Sequence, residues 1–275
     1  MAATVEQLPI LNDVYPLDAG QLDRFASDGH ICLRRVCSPD EVAAYRGPFL
    51  DTVRQRAKNL VDLAQRDTYG KAFIQIGNLW QESQVLRRFV FAERFARIAA
   101  ELLGVEAVRL YHDQALYKEP HGGFTPWHQD EHYWPLDTDR TITMWMPLVD
   151  VTASMGTMNF ASGSHPLGYL GDMPISDDSE RAWAELVRDR GFEVVNHGAM
   201  HAGDATFHTG WTLHGAPGND SDRMREVMTI IYFADGARAI EPDNFGRKND
   251  LATWLPGCQP GDLAASELNP VLYRR

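Results

Sequence analysis

The sequence predicts an α+β chain, helical in its first part and rich in β-strands in its second half. Three observations carry that expectation. Apolar residues recur at helical spacing from Val42 to Leu60, and again from Leu86 to Leu103. From Ala107 onward the apolar residues instead form short alternating or continuous runs. Clusters of Gly, Pro, Asn, Asp and Ser, the residues that turn a chain, separate those runs. A length of 275 residues with a 44% hydrophobic fraction is enough to bury one sizeable core, so a single domain over 1–275 is expected.

In chain order, residues up to about Pro16 read as an irregular lead-in. Gln21 to Phe25 begins a short helix that Asp28-Gly29 stops, and His30 to Arg34 alternates as a strand. Ser38 can cap the next helix, with Pro39 in its first turn and Asp40 and Glu41 favouring its dipole. That helix should run to about Leu63, with Gly47-Pro48 kinking or breaking it. Its basic residues Arg54, Arg56 and Lys58 read as a solvated face. Ala72 to Ile76 is a strand, and Leu86 to Leu103 a helix ended by Gly104. The helical part therefore covers about 17–104 and the β-rich part about 105–235.

Within the β-rich part, residues two apart on a strand share a face. Ala107 to Lys118 puts His112, Gln114, Leu116 and Lys118 together, and Arg140 to Met146 does the same for Thr141, Thr143 and Trp145. Gly156 to Phe160 and Gly163 to Pro166 follow as a short strand and a turn. Ile175 to Glu180 opens a polar helix reaching about Arg190, either a surface decoration or a lid over a site. Glu193 to Val195, Ala205 to Phe207 and Met224 to Phe233 are strands. The tail from Ala234 reads as irregular, anchored by Trp254 and Leu255.

Bulk properties narrow the function classes. A formal net charge of -12 argues against nucleic acid or an anionic membrane as partner, since both attract basic patches. No apolar run approaches the length of a membrane span, and Met1 to Gln7 has neither the basic start nor the apolar stretch of a signal peptide. The three cysteines, Cys32, Cys37 and Cys258, are too few for a disulfide framework and fit idle thiols in a reducing cytoplasm. Asn219-Asp220-Ser221 spells a glycosylation sequon without a secretory signal to use it.

The chemistry is concentrated in two stretches. In Pro126-Trp127-His128-Gln129-Asp130, an extended backbone lets His128 and Asp130 aim an imidazole nitrogen and a carboxylate oxygen at one point. Two histidines with one carboxylate on a single face suit non-haem Fe(II). Downstream, Gly203 to Arg225 reads as strand, turn, strand, so a hairpin would fold Arg225 back beside His214 as the third ligand. His132 and His208 compete for that role. His132 would require three ligands from one short stretch, and His208 lies farther from the turn.

With His128, Asp130, His214 and an arginine eleven positions later at Arg225, the chain resembles the phytanoyl-CoA dioxygenase family of Fe(II)/2-oxoglutarate oxygenases. Trp145-Met146-Pro147-Leu148, Gly163-Ser164-His165 and Gly203-Asp204 match the family's pattern too, and the resemblance spans roughly Gln21 to Phe233. It implies a double-stranded β-helix, a cupin-like jelly-roll barrel with the N-terminal helices packed outside. It also implies Fe(II) as cofactor and 2-oxoglutarate and O2 as co-substrates, with hydroxylation of a C–H bond and release of succinate and CO2.

The resemblance distributes further roles. Arg225 would grip the distal carboxylate of 2-oxoglutarate through its planar fork. Thr143 would add a hydroxyl hydrogen bond, and Trp145 and Leu116 would be walls. Gln114 and His112 would lie nearer the substrate, bordered by Tyr133, Trp134 and Trp80, against the plain alternative that these side chains pack in the core. In this pattern His165 belongs to a structural turn.

One departure stands out: many relatives carry Ser or Thr two positions after the distal histidine, where this chain has Ala216. Asp130 is intact, which argues against halogenation. The substrate expected is a free small molecule, a biosynthetic intermediate, because no dense basic cluster near the motifs suits the phosphates of CoA. An acyl-CoA hydroxylase, a zinc-type hydrolase on the same barrel and a silent binding protein are the alternatives. The hydrolase leaves Arg225 without a role.

Overall fold

The computed structural model describes residues 7–275; residues 1–6, most of the stretch read above for a signal peptide, lie outside them. Helix α1 (Ala19–Asp28) is closed at its start by a reciprocal capping box between Asp18 and Gln21 and at its end by Gly29 in the left-handed conformation. Strand β1 (His30–Leu33) leads to α2 (Pro39–Ala57), which Ser38 and Glu41 cap in the same way. This helix runs unbroken through Pro48, contrary to the expected break, and ends at Ala57 rather than Leu63. Its buried stripe of Val42, Tyr45, Phe49 and Val53 holds it on the core, whereas Leu60 is exposed. Packing outweighs the one hydrogen bond that proline removes.

After α3 (Thr68–Ala72) and β2 (Ile74–Gly77), the expected helix over Leu86 to Leu103 is two helices. Helix α4 (Gln84–Val90) and α5 (Glu93–Leu103) meet at Phe91-Ala92, where Ala92 has an extended backbone. The break lets Phe89 and Phe95 pack edge to face at 5.2 Å from separate helices.

The remaining strands are β3 (Ala107–Tyr117), β4 (Thr125–His128), β5 (Thr141–Pro147), β6 (Asn159–Ala161), β7 (Val194–Asn196), β8 (Ala205–Thr209), β9 (His214–Ala216) and β10 (Val227–Ala234). Helix α6 (Asp177–Arg190) comes between β6 and β7. The tail is not irregular: it forms α7 (Phe245–Trp254) and β11 (Val271–Arg274), which pairs with β3. Its polar, weakly periodic sequence hid an element held by tertiary contacts.

Among the described residues the strands form two antiparallel sheets. The larger runs β1-β8-β5-β10-β3-β11 with β2 also on β3, and the smaller runs β4-β9-β6-β7. The chain alternates between them from β3 to β6 and again from β7 to β10, with β6 and β7 paired in the small sheet, but no hydrogen bonds close them into a barrel. The large sheet shows the two-residue period plainly. Ile142, Met144, Met146, Met228, Ile230 and Tyr232 join the helices in the main core. Their neighbours Thr143, Trp145, Thr229 and Ile231 face a cavity between the sheets.

Candidate active site

The cavity has a volume of about 670 Å³ and is lined from both sheets. Strand pairing builds its chemical centre. His128 and His214 are direct cross-strand partners in β4 and β9, with ring centroids 4.1 Å apart. The Nδ1 of His128 lies 2.7 Å from the carbonyl of Pro126, and that of His214 lies 2.9 Å from the carbonyl of Thr212. Each ring therefore carries its proton on Nδ1 and turns the Nε2 lone pair inward. Asp130 opens the turn just after β4, and its Oδ1 lies 3.5 Å from His128 Nε2 and 3.6 Å from His214 Nε2. One ligand atom from each of the three lies within 4.8 Å of the other two, so together they could hold a metal ion.

The other carboxylate oxygen is held from the opposite sheet. Thr143 and His208 are themselves cross-strand partners in β5 and β8. The Thr143 hydroxyl donates to Asp130 Oδ2 at 2.9 Å, and His208 Nε2 lies 3.2 Å from the same atom. Thr143 thus engages Asp130, not an open position for a co-substrate. His208, a rival ligand by sequence, instead supports the carboxylate from behind. Burial raises the cost of ionising Asp130, but the surrounding imidazoles of His214, His128 and His208 outweigh it and hold the carboxyl well below its usual range. Burial, with His128 and His208 nearby, keeps His214 neutral. An ionised carboxylate beside a neutral imidazole is the ligand-ready state.

Arg225 does not arrive by a hairpin. His214 belongs to the small sheet, whereas Arg225 precedes β10 of the large one and bridges Lys118 at the end of β3. The intervening turn is held by Asn219, whose side-chain amide donates to the carbonyls of Lys118, Glu119 and Arg223. That residue is fully buried, so the sequon is a structural rivet. The guanidinium of Arg225 is 2% exposed, lies 5.3 Å from the Trp145 ring centroid and donates to the carbonyl of Gly156. No carboxylate pairs with it among the described residues, and burial pushes its pKa down to about 9, still cationic at neutral pH. A buried cation on a cavity wall with no carboxylate paired to it is suited to bind an anion.

Of the other residues singled out by sequence, His112, Gln114, Leu116, Tyr133, Trp134 and Trp145 line the cavity, as does Ala216. Burial drives His112 down to about 3, so it is neutral, with its ring 4.4 Å from that of Trp254. Trp80 does not line the cavity. Asn78, in the left-handed conformation, turns the chain after β2, and the indole packs 5.1 Å from Phe91 and 5.0 Å from the Arg87 guanidinium.

The proposed lid is anchored: Glu180 on α6 accepts from the Trp127 amide at 2.9 Å. Only its lead-in, Pro174 and Ile175, reaches the cavity, held by the Ile175 amide donating to the Tyr133 hydroxyl at 2.8 Å. Sequence reasoning missed Tyr69, Phe73, Gln75, Asn249 and Asp250 on the wall. The parity of β2 against β3 offered a signal for Gln75. Nothing local marked the residues of α7.

These features have relatives. A family model described as phytanoyl-CoA dioxygenase (PhyH) matches residues 25–227. The chain is 22% identical over 247 residues to an ectoine dioxygenase of Streptomyces coelicolor, covering 82% of this chain and 81% of that protein. It is 25% identical over 236 residues to a probable alpha-ketoglutarate-dependent hypophosphite dioxygenase of Stutzerimonas stutzeri, covering 80% and 79%. Among solved structures it superimposes on the non-heme alpha-ketoglutarate-dependent carbocyclase SnoK of nogalamycin biosynthesis with a TM-score of 0.73 and 26% identity, covering 98% of this chain and 99% of that one. The epimerase SnoN from the same biosynthesis also gives a TM-score of 0.73, at 24% identity and with 93% and 98% covered. On the extent of the family match, this chain belongs to the phytanoyl-CoA dioxygenase family of iron- and 2-oxoglutarate-dependent dioxygenases.

Proposed function

We propose that the protein hydroxylates an unactivated C–H bond of a free small molecule, a biosynthetic intermediate, with 2-oxoglutarate as co-substrate and succinate and CO2 as co-products. One observation carries the reading: His128, Asp130 and His214 converge on the cavity that also exposes the unpaired guanidinium of Arg225. In this reading the three residues hold Fe(II), Arg225 takes the distal carboxylate of 2-oxoglutarate, and Trp145 and Leu116 wall it in. Bound iron with 2-oxoglutarate and O2 supplies the oxidising power, while the protein's part is to orient the substrate and exclude water. Thr143 and His208 fix the orientation of Asp130 so that Oδ1 faces the two imidazoles. The alternation of strands between the two sheets supports a double-stranded β-helix within a single domain over 1–275, and the free thiols fit a cytoplasmic setting.

The wall favours a substrate free of CoA. Among the described residues Arg225 is its only Lys or Arg side chain, and the reading assigns that group to the co-substrate. The test is iron content together with succinate release, using paired free and CoA-linked candidate substrates. Turnover confined to thioesters would return the chain to acyl-CoA hydroxylation. Zinc content with hydrolysis and no succinate would favour the hydrolase.

A further inference from the structure

Beyond the metal ligands and Arg225, the cavity wall carries one more Asp, Glu, Lys or Arg side chain among the described residues, Asp250 on α7. It is 8% exposed, and no lysine, arginine or histidine forms an ion pair with it among the described residues. Its donors are neutral: the Tyr111 hydroxyl lies 3.1 Å from Oδ2, and the side chains of Asn249 and Trp254 also hydrogen-bond to it. Burial lifts the carboxyl to about 7, with repulsion from Asp130 a smaller contributor. That repulsion sets Asp250 within electrostatic reach of the metal end.

The wall around Asp250 is firmly built. Trp254 packs at a tilt against His112 and lies so close to Gly77 that a Cβ there would meet its ring at 2.7 Å. A Cβ on Gly246 would meet Tyr133 at 2.6 Å, so the start of α7 presses on that phenol. Asn244 caps the helix and donates to the His132 carbonyl at 3.2 Å, and Arg247 donates to the Glu131 carbonyl at 3.4 Å. Asp250 is therefore held in place while one charge short of balance. Tyr133 and Trp254 add ring surfaces to the same wall.

We infer that Asp250 is the substrate-selecting group of this cavity and takes a protonated amine on the substrate. A carboxylate with no cation, flanked by aromatic rings, is complementary to an ammonium on both counts. An ammonium would draw the carboxyl into its ionised form, a neutral substrate offers no counter-charge to do so, and an anionic one would meet repulsion. The inference rests on the dioxygenase reading only in placing substrate at this end of the cavity.

Cyclohexylamine, cyclohexanol and cyclohexanecarboxylate serve as probes of similar size, titrated by ligand-observed NMR into the full chain loaded with Zn(II) and 2-oxoglutarate. The amine should bind roughly tenfold or more tighter than the alcohol, with the carboxylate weakest, as expected of a desolvated charge pair. Asp250→Asn keeps the shape and an acceptor for Tyr111, and it should abolish the preference for the amine. Comparison of the three probes in the wild type stands even where the variant folds poorly. Equal binding of amine and alcohol, no binding of the amine, or an unchanged preference in Asp250→Asn overturns the assignment. Binding of 2-oxoglutarate, followed in the same samples, separates the two readings. Its absence strikes at the dioxygenase assignment, whereas its presence without amine preference strikes only at Asp250.

Discussion

The two ends of the cavity are built by different means. At the metal end, every functional side chain sits on or directly after a strand, and register does the positioning. His128 faces His214, Thr143 faces His208, and both pairs close on Asp130. At the other end the wall is assembled from α7, α3, β2 and the lead-in to α6, segments far apart in sequence and joined by side-chain packing. The first construction fixes atoms for a single chemistry. The second sets the shape and charge of the substrate end through packing. Mutations at the metal end should therefore remove activity outright, and mutations at the far end should redistribute it.

The largest effect is expected at the ligands. Replacing His128, Asp130 or His214 with Ala should abolish iron binding and turnover while the protein remains folded. His208→Ala provides the sharper contrast: its ring packs 4.3 Å from that of His214, but its Nε2 meets Asp130 at Oδ2, not at the Oδ1 that faces His128 and His214. It should keep one iron per chain at saturating metal and weaken affinity by about 10–100-fold, the usual cost of losing an outer hydrogen bond. Iron titration with succinate assays distinguishes the two classes. Turnover retained in His214→Ala and lost completely in His208→Ala would exchange their roles.

Arg225 comes next. Removing one partner of a desolvated charge pair costs on the order of 2–5 kcal/mol. Arg225→Ala should accordingly raise the 2-oxoglutarate requirement tens-fold or more, leaving iron stoichiometry intact. An unchanged co-substrate dependence would remove Arg225 from the site.

The same division governs what the sequence disclosed. His128 and Asp130 were legible because strand periodicity alone sets both on one face, and Thr143, Trp145, His112, Gln114 and Leu116 followed from the same parity. Arg225 is singled out by the resemblance to the family pattern, but the expected hairpin does not form, because position along a chain does not say which sheet each end joins. Pro48 and the Phe91-Ala92 break were misjudged for a related reason: burial of Tyr45, Phe49, Phe89 and Phe95 decides those backbones, and burial is a tertiary fact. Asp250 and Trp254 lay in a stretch with weak periodicity, so neither the helix nor its inward face could be read.

Glu131 offers a test by pH within the metal end. Its side chain is 1% exposed, accepts from the Thr141 hydroxyl, and is lifted by burial to about 8. A folded pKa above the unfolded one means that the stabilising contribution is complete below about pH 4.5 and is lost as pH rises through about 8. Glu131→Gln is neutral throughout that range. Wild-type stability should therefore fall relative to the variant by roughly 3 kcal/mol between pH 5 and 8, seen in denaturant midpoints. Parallel pH profiles for the two proteins would mean that Glu131 carries its charge in the fold.

The smallest effect probes the far end. Trp134 is buried, lines the cavity, and packs 5.5 Å from Tyr111, the phenol that donates to Asp250. It also belongs to the cluster formed with Leu136, Ile231 and Leu255, so truncation to Ala would mix a packing defect with any loss of substrate contact. Trp134→Phe keeps an aromatic plane there and trims the surface offered to substrate. If the far wall orients substrate while the metal end handles 2-oxoglutarate alone, substrate-coupled turnover should fall several-fold, on the order of 1 kcal/mol of orientation. Succinate formed without substrate should hardly change. The readout is the ratio of product to succinate, which is unaffected by the fraction of enzyme that is folded. An equal fall in both activities would make Trp134 part of the common scaffold, and the boundary between the two ends would then lie closer to α7.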